Sequence, residues 1–262
     1  MMILEADRLS VAFGGVRAVD EVSIAVETGQ VFSIIGPNGS GKTTLFNLIS
    51  GIYVPNHGSI RLAGETVTGL EPHQLARRGL SRTFQNLQIF SRMSVLENVM
   101  VGHHRHEDTG ILADLVHWPT VRRQNAATRE VALTALARVG LADEAGRASD
   151  ALSYGALKRL EIARALASDP KLLLLDEPAA GCNPVETLEV DAVIRSLVKE
   201  GITVMLVEHD MRLVMNISDR VHVLARGRTL AEGTPQEVRS NPAVIEAYLG
   251  DHGAKEAARA FG

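Results

Sequence analysis

The sequence predicts an α/β fold: a largely parallel sheet covered by helices, with an antiparallel β subdomain near its start and an inserted α-helical subdomain in its middle. Three observations carry that expectation. Early in the chain apolar residues alternate with polar ones, at Leu9, Val11 and Phe13 and again at Val22, Ile24 and Val26, as half-buried antiparallel strands require. Later runs are almost continuously apolar and strand-sized: VFSII at 31–35, LLLL at 172–175, ITVMLV at 202–207 and VHVL at 221–224. Such runs suit parallel strands buried on both faces, and the helical segments between the later ones suit βαβ units. Between about 92 and 168 no strong strand pattern interrupts the helical sequence.

The elements follow in order. VFSII ends at once in Gly36, as a buried strand does where it meets a loop, and Ser59 to Val67 reads as one further alternating strand. Three helix starts are marked by a capping residue three before a glutamate: Ser94 with Glu97, Asn183 with Glu186, and Thr234 with Glu237. The last two also carry proline at the first helical position. Thr120 to Val139 reads as a long helix and Leu157 to Ala167 as another, while VHVL and Thr229 to Ala231 flank Arg226-Gly227 as a hairpin. Residues 1–262 are expected to form one domain, with the helical subdomain at about 92–168 inside it and a frayed tail at 251–262.

Composition bounds the function. Hydrophobic residues make up 45% of the 262 and charged residues 22%, which is ordinary for a globular chain with a sizeable core. A net charge of −4 from 27 basic and 31 acidic side chains argues against nucleic acid as a partner and against whole-surface attraction to anionic lipid. The single cysteine, Cys182, excludes an internal disulfide framework and a cysteine-based zinc site, and suits a reducing compartment. No stretch approaches the about 18 consecutive apolar residues of a membrane-spanning helix, and the N-terminus MMILEADRLS has no apolar signal core. The expected address is cytoplasmic, with any membrane role supplied by a partner.

Gly36-Pro37-Asn38-Gly39-Ser40-Gly41-Lys42-Thr43, followed by Thr44, fits the phosphate-loop pattern G-x-x-x-x-G-K-[ST] and lies between a buried strand and a helix. The glycines free the backbone to turn successive N–H groups inward as an anion nest at a helix N-terminus. Lys42 would reach the β- and γ-phosphates of ATP, and the Thr43 hydroxyl would ligate Mg²⁺. Downstream, the leucine run ends in Asp176-Glu177. A carboxylate at the C-terminal end of a buried parallel strand lies where α/β sheets bind ligands, so Asp176 suits the Mg²⁺ side and Glu177 the attacking water.

With these residues the chain resembles the ATP-binding subunits of ABC transporters. Leu152-Ser153-Tyr154-Gly155-Ala156 resembles the family signature LSGGQ, Gln85 in SRTFQNLQIF its Q-loop, and His209 after ITVMLV its switch histidine. Phosphate loop, Gln85, signature, Asp176-Glu177 and His209 stand in the family's order across nearly the whole chain. The resemblance implies a P-loop NTPase (RecA-like) core and ATP hydrolysis with Glu177, His209 and Lys42 as catalytic residues. Phe13 would stack on adenine, with core packing as the competing reading. Gln85 would sense the metal and contact a membrane partner. Ser153, Tyr154 and Gly155 would act on the ATP held by an opposite subunit, and Asn183 would stand at the dimer seam. Two departures accompany the match: Tyr154 and Ala156 replace a glycine and the glutamine of the signature, and Asn183 stands where the family has aspartate.

Within the family the stretches FGGVRAVDEVS, RTFQNLQIFSRMSVLENVMVG, LSYGALKRLEIARALA, DEPAAGCNP, EHDMRLVMNISDRVHVL and GTPQEVRSNPAVIEAYLG resemble branched-chain amino-acid importers, as does an insertion at about 103–124. That likeness implies a second ATPase (a paralogue or a second copy), two membrane permeases and, indirectly, an extracytoplasmic binding protein. The chain would then sit at the cytoplasmic face of the inner membrane, peripherally through the permeases. ATPases of urea, amide or other amino-acid importers share these motifs. A soluble ABC ATPase outside transport is disfavoured by the lack of a second ATPase domain or long coiled coil. A dead regulatory subunit is disfavoured by the presence of Lys42, Glu177 and His209. The remaining candidates read plainly: His103-His104-Arg105-His106 as a solvated helix end, Cys182 as small-residue packing, Trp118 as a packing anchor.

Overall fold

The computed structural model describes residues 1–103 and 119–252. His104, His106, Trp118 and the tail from 253 lie outside the described residues. The chain opens with two long antiparallel strands, β1 (Met2–Phe13) and β2 (Val16–Glu27), as the alternation requires. β3 (Val31–Ile35) then enters the interior, and the loop after it leads into α1 (Lys42–Ile49). The segment expected as one strand over Ser59 to Val67 is two: β4 (His57–Leu62) and the short β5 (Glu65–Thr66). Ala63 and Gly64, with φ of 50° and 85°, make a two-residue turn between them. Alanine carries none of the turn chemistry that flags such hairpins, so the alternation alone did not show the break.

α2 (Pro72–Arg77) and β6 (Leu80–Arg82) follow. Both are too short for periodicity to reveal. The middle of the chain is helical: α3 (Val95–His103), α4 (Pro119–Arg138) and α5 (Tyr154–Leu166). The helix expected from Leu157 begins three residues earlier, because the Ser153 hydroxyl caps it by accepting from the Ala156 N–H at 3.3 Å. The signature-like residues 152–156 therefore run through the cap of α5 into its first turn. His103 does not lie in water: its ring bonds the Ala167 carbonyl at 2.9 Å.

The remainder alternates strand and helix: β7 (Leu172–Asp176), α6 (Pro184–Lys199), β8 (Thr203–Val207), α7 (Met211–Ile217), β9 (Arg220–Ala225), β10 (Arg228–Gly233), α8 (Pro235–Arg239) and α9 (Pro242–His252). The capping boxes at Asn183 and Thr234 both form. Arg226 and Gly227, at φ of 52° and 77°, make the β9–β10 turn.

Two sheets result. The smaller has the order β2-β1-β4-β5 and the larger β10-β9-β3-β8-β7-β6, parallel except for β10. Each central strand is apolar on both faces because each face has its own core. Leu172, Leu174, Phe32 and Ile34 join α1 and the small sheet on one side. Leu173, Leu175, Val31 and Ile35 join α3 to α7 on the other. The C-terminal ends of β3, β7 and β8 thereby open side by side at one edge, where an α/β sheet presents its crevice.

Candidate functional site

The loop after β3 is shaped by close approaches that exclude any side chain. A Cβ on Gly36 would lie 2.1 Å from the Leu224 carbonyl oxygen, and one on Gly41 2.4 Å from that of Ala18. Both glycines also have positive φ, 152° and 104°, which L-residues rarely adopt. Lys42 is only 6% exposed. Its ammonium donates to the carbonyls of Gly36 at 2.7 Å and Pro37 at 3.0 Å, so it already lies back along the loop. Burial pulls its pKa down, and the nearby charge of Glu177 works against that. The Ser40 hydroxyl is buried without a hydrogen-bond partner. A buried orphan polar atom costs about 1–3 kcal/mol, and a phosphate on this loop offers it an acceptor. Thr43 is exposed and Thr44 half-buried on the first turn of α1.

At the end of β7 the two carboxylates diverge. Asp176 is 4% exposed and its Oδ2 accepts from Arg82 at 2.8 Å. Arg82 also donates to Asn47 Oδ1 at 2.7 Å and Ser50 Oγ at 2.6 Å, and stacks against the rings of Phe46 and Phe84. Glu177 has a left-handed backbone, φ 51°, which turns the chain out of the strand. Its Oε1 bonds His209 Nε2 at 2.6 Å, and its Oε2 accepts from Gln85 Nε2 at 3.0 Å. Hydrogen bonds thus join Gln85, Glu177 and His209, three residues singled out from separate parts of the sequence. The exposed Thr43 hydroxyl, the Asp176 carboxylate and the Gln85 amide oxygen are hard oxygen donors of the kind Mg²⁺ takes.

Sequence reasoning missed several groups. Glu208 is 3% exposed. One of its oxygens accepts from the Ala179 N–H at 3.0 Å and the other from the His209 N–H at 2.9 Å. Burial pushes its carboxyl up while these N–H donors pull it down. Glu208 therefore ties the loop after Glu177 to the loop of His209. Its position directly before His209, at the end of an apolar strand, was the one available signal. Arg82 and Lys158 escaped notice because isolated charges read as solvated.

The signature residues lie apart from the phosphate loop in their bonding. The Gly155 N–H donates to Glu186 Oε1 at 3.0 Å, and the Asn183 N–H to Glu186 Oε2 at 3.0 Å. A Cβ on Gly155 would meet the Glu186 side chain at 2.6 Å, so glycine is required here. Tyr154 packs its ring over Gly181, where an added Cβ would come within 2.9 Å of it. Asn183 caps α6 by accepting from the N–H groups of Val185 and Glu186. Phe13 is 46% exposed at the end of β1 and meets Tyr53 edge-on at 5.1 Å between ring centres. Cys182 is half-buried, and burial pushes its thiol up, away from reactivity.

Comparison with known proteins places the chain in a family. A family model described as ABC transporter matches residues 19–180, and one described as branched-chain amino acid ATP-binding cassette transporter matches residues 228–254. The chain is 49% identical to the high-affinity branched-chain amino acid transport ATP-binding protein BraF of Pseudomonas aeruginosa, over 95% of this chain and 98% of that protein. It is 46% identical to the protein LivG of Salmonella typhimurium, described in the same words, with the same coverage. Among solved structures, the ADP conformation of an ATP-binding cassette of an ABC transporter superposes with a TM-score of 0.84 at 35% identity, covering 96% of this chain and 100% of that one.

Proposed function

This chain belongs to the ABC transporter family of ATP-binding cassettes, and from that membership we propose that it binds and hydrolyses ATP to power a branched-chain amino-acid importer. The observation that carries the chemistry is the crevice at the strand ends, with Lys42, Asp176 and the hydrogen-bonded set Gln85, Glu177 and His209. The triphosphate lies along residues 36–44, its charge met by backbone N–H groups and Lys42. Thr43, Asp176 and Gln85 would hold Mg²⁺, which would supply positive charge to offset that of the phosphates. Glu177 accepts a proton from the attacking water as its oxygen bonds the γ-phosphorus. The bond from that phosphorus to the β–γ bridging oxygen breaks, and ADP and phosphate leave. His209, held by Glu177 at 2.6 Å, contacts the γ-phosphate. Ser153, Tyr154 and Gly155 serve the ATP of a second ATPase subunit, with Asn183 at the seam.

Phe13 stacks on the adenine, which its exposed place beside Tyr53 favours. Phe13→Ala is expected to weaken ATP binding by about 0.5–1.5 kcal/mol, the extra worth of an aromatic contact. Calorimetric titration checks this, and unchanged affinity with a lowered melting temperature assigns Phe13 to packing instead.

Among the described residues no helix is long and apolar enough to cross a membrane; in the proposed importer, permease partners hold the chain at the cytoplasmic face. A cavity of about 870 Å³ opens beside Arg82, lined by Phe84, Leu87, Ile89, Phe90 and Val101. Of its aromatic rings Phe84 is 44% and Phe90 47% exposed, an apolar cost that a docked helix removes. Ile89 packs partly on the core, so the cleaner probe is Phe90. In membranes holding the permeases and the second ATPase, with the binding protein supplied, the chain is expected to support ATP-dependent uptake of labelled leucine. Phe90→Glu is expected to abolish uptake and permease pull-down while sparing ATP hydrolysis by the isolated chain. Retained uptake places the docking face elsewhere; hydrolysis without leucine uptake by the unaltered complex assigns another cargo, such as urea, an amide or a different amino acid.

A further inference from the structure

Lys158 lies one turn into α5, directly after the signature, and is 3% exposed. Its ammonium donates to the carbonyl of Gln85 at 3.3 Å and to that of Glu177 at 3.3 Å. A buried cation costs several kcal/mol unless it is well compensated, and these partners are main-chain oxygens of the two residues that meet at the proposed water site. The ring of Tyr154 lies 5.9 Å from the same ammonium, within cation–π range. The residue that departs from the usual signature glycine thus covers Lys158.

The Glu177 backbone explains why such a contact matters. Its left-handed conformation, φ 51°, costs about 1–3 kcal/mol for a side-chain-bearing residue and persists only where its surroundings hold it. The Glu177 N–H is held by the Val207 carbonyl at 2.9 Å, and its carbonyl by Lys158. The next turns of α5 grip the other end of the Gln85 segment. Glu161 Oε1 accepts from the Gln88 N–H at 3.1 Å, and Arg164 donates to the Gln88 carbonyl. Lys158, Glu161 and Arg164 thus fall on one stripe, three residues apart, turned inward onto residues 85–88.

We infer that Lys158 is a positioning residue that fixes Glu177 and Gln85 for hydrolysis, so that the signature helix sets the hydrolytic carboxylate of its own subunit. The inference rests on the proposed role of Glu177. Because the first turn of α5 is the part that faces a partner's nucleotide in that reading, Lys158 also links the two sites of an ATPase pair through one rigid helix.

The test compares the full-length chain with Lys158→Met, Lys158→Arg, Glu177→Gln and the double variant Lys158→Met/Glu177→Gln. Lys158→Met is expected to lower kcat about tenfold or more, in the range for a displaced catalytic group, with the ATP dissociation constant unchanged within about twofold. Lys158→Arg is expected to restore most of the rate. The double variant should turn over no more slowly than Glu177→Gln in single-turnover measurements, because no carboxylate is left to position. A purely structural lysine moves affinity, melting temperature and rate together, and its loss adds to that of Glu177. Wild-type kcat in Lys158→Met, or additive losses in the double variant, overturns the inference. Should Lys158→Met not fold, Lys158→Gln, with a neutral amide for the two carbonyls, takes its place in the same comparison. An unslowed Glu177→Gln strikes the proposed function instead.

Discussion

Glu177→Gln is expected to bind ATP as the unaltered chain does and to release phosphate at least about 100-fold more slowly, the range for losing a general base. The substitution keeps the shape of the side chain and its place between Gln85 and His209, so the ground-state complex changes little. What disappears is the carboxylate that takes the proton of the attacking water. Glu177 suits that task by position: it follows Asp176 at the strand end, and its bonds run to side chains rather than into a buried salt bridge. Asp176 by contrast has its Oδ2 taken by Arg82 in a buried pair, the side chains 6% and 8% exposed, and in the proposed reading its remaining oxygen serves Mg²⁺. Steady-state phosphate release from the purified variant, beside nucleotide titration, measures the two halves of the expectation. Near-normal release sinks the assignment.

The second large effect separates the two ends of the molecule. Every group on the phosphate-loop side is intact, whereas the groups offered to a partner's site are altered at Tyr154, Ala156 and Asn183. The structure adds a physical reading of that contrast. The Gly155 N–H and the Asn183 N–H already bond Glu186, and the Ser153 hydroxyl already caps its own helix, so this signature is well satisfied within its own chain. Lys42, by comparison, rests on two loop carbonyls, which a triphosphate readily replaces. The isolated chain is therefore expected to hydrolyse ATP slowly and to speed up when a paralogous ATPase and the permeases are added. In that complex Lys42→Ala should cost about 100-fold or more, the range for removing a preorganised charge-stabilising group. Ser153→Ala should cost less than about tenfold, within the range of a single neutral hydrogen bond. Phosphate release by the two reconstituted variants decides the matter, and equal losses show that the two sites are equivalent.

What the sequence by itself determined is local. The phosphate loop is legible because its glycines, Lys42 and Thr43 are contiguous and follow a strand. The capping boxes at Asn183 and Thr234 are legible because a cap and its glutamate stand three residues apart, and the buried strands because both faces of each are apolar. Asp176 and Glu177 are marked by where an apolar run stops, whereas Gln85 and His209 are marked only by their place in the family's order of motifs. Only the tertiary structure decided the rest, for one physical reason: whether a charge is solvated or buried depends on residues far away in the chain. Arg82 finds Asp176 across 94 positions, and Lys158 finds Gln85 across 73. The stripe Lys158, Glu161 and Arg164 has the spacing of an exposed, salt-bridged helix face, yet it turns inward because residues 85–88 pack against it. Glu208 likewise carries an unremarkable charge until the fold brings Ala179 and His209 to its two oxygens. The groups proposed to react were legible from local sequence and from motif order, while the groups that hold them in place were found only through neighbours in space.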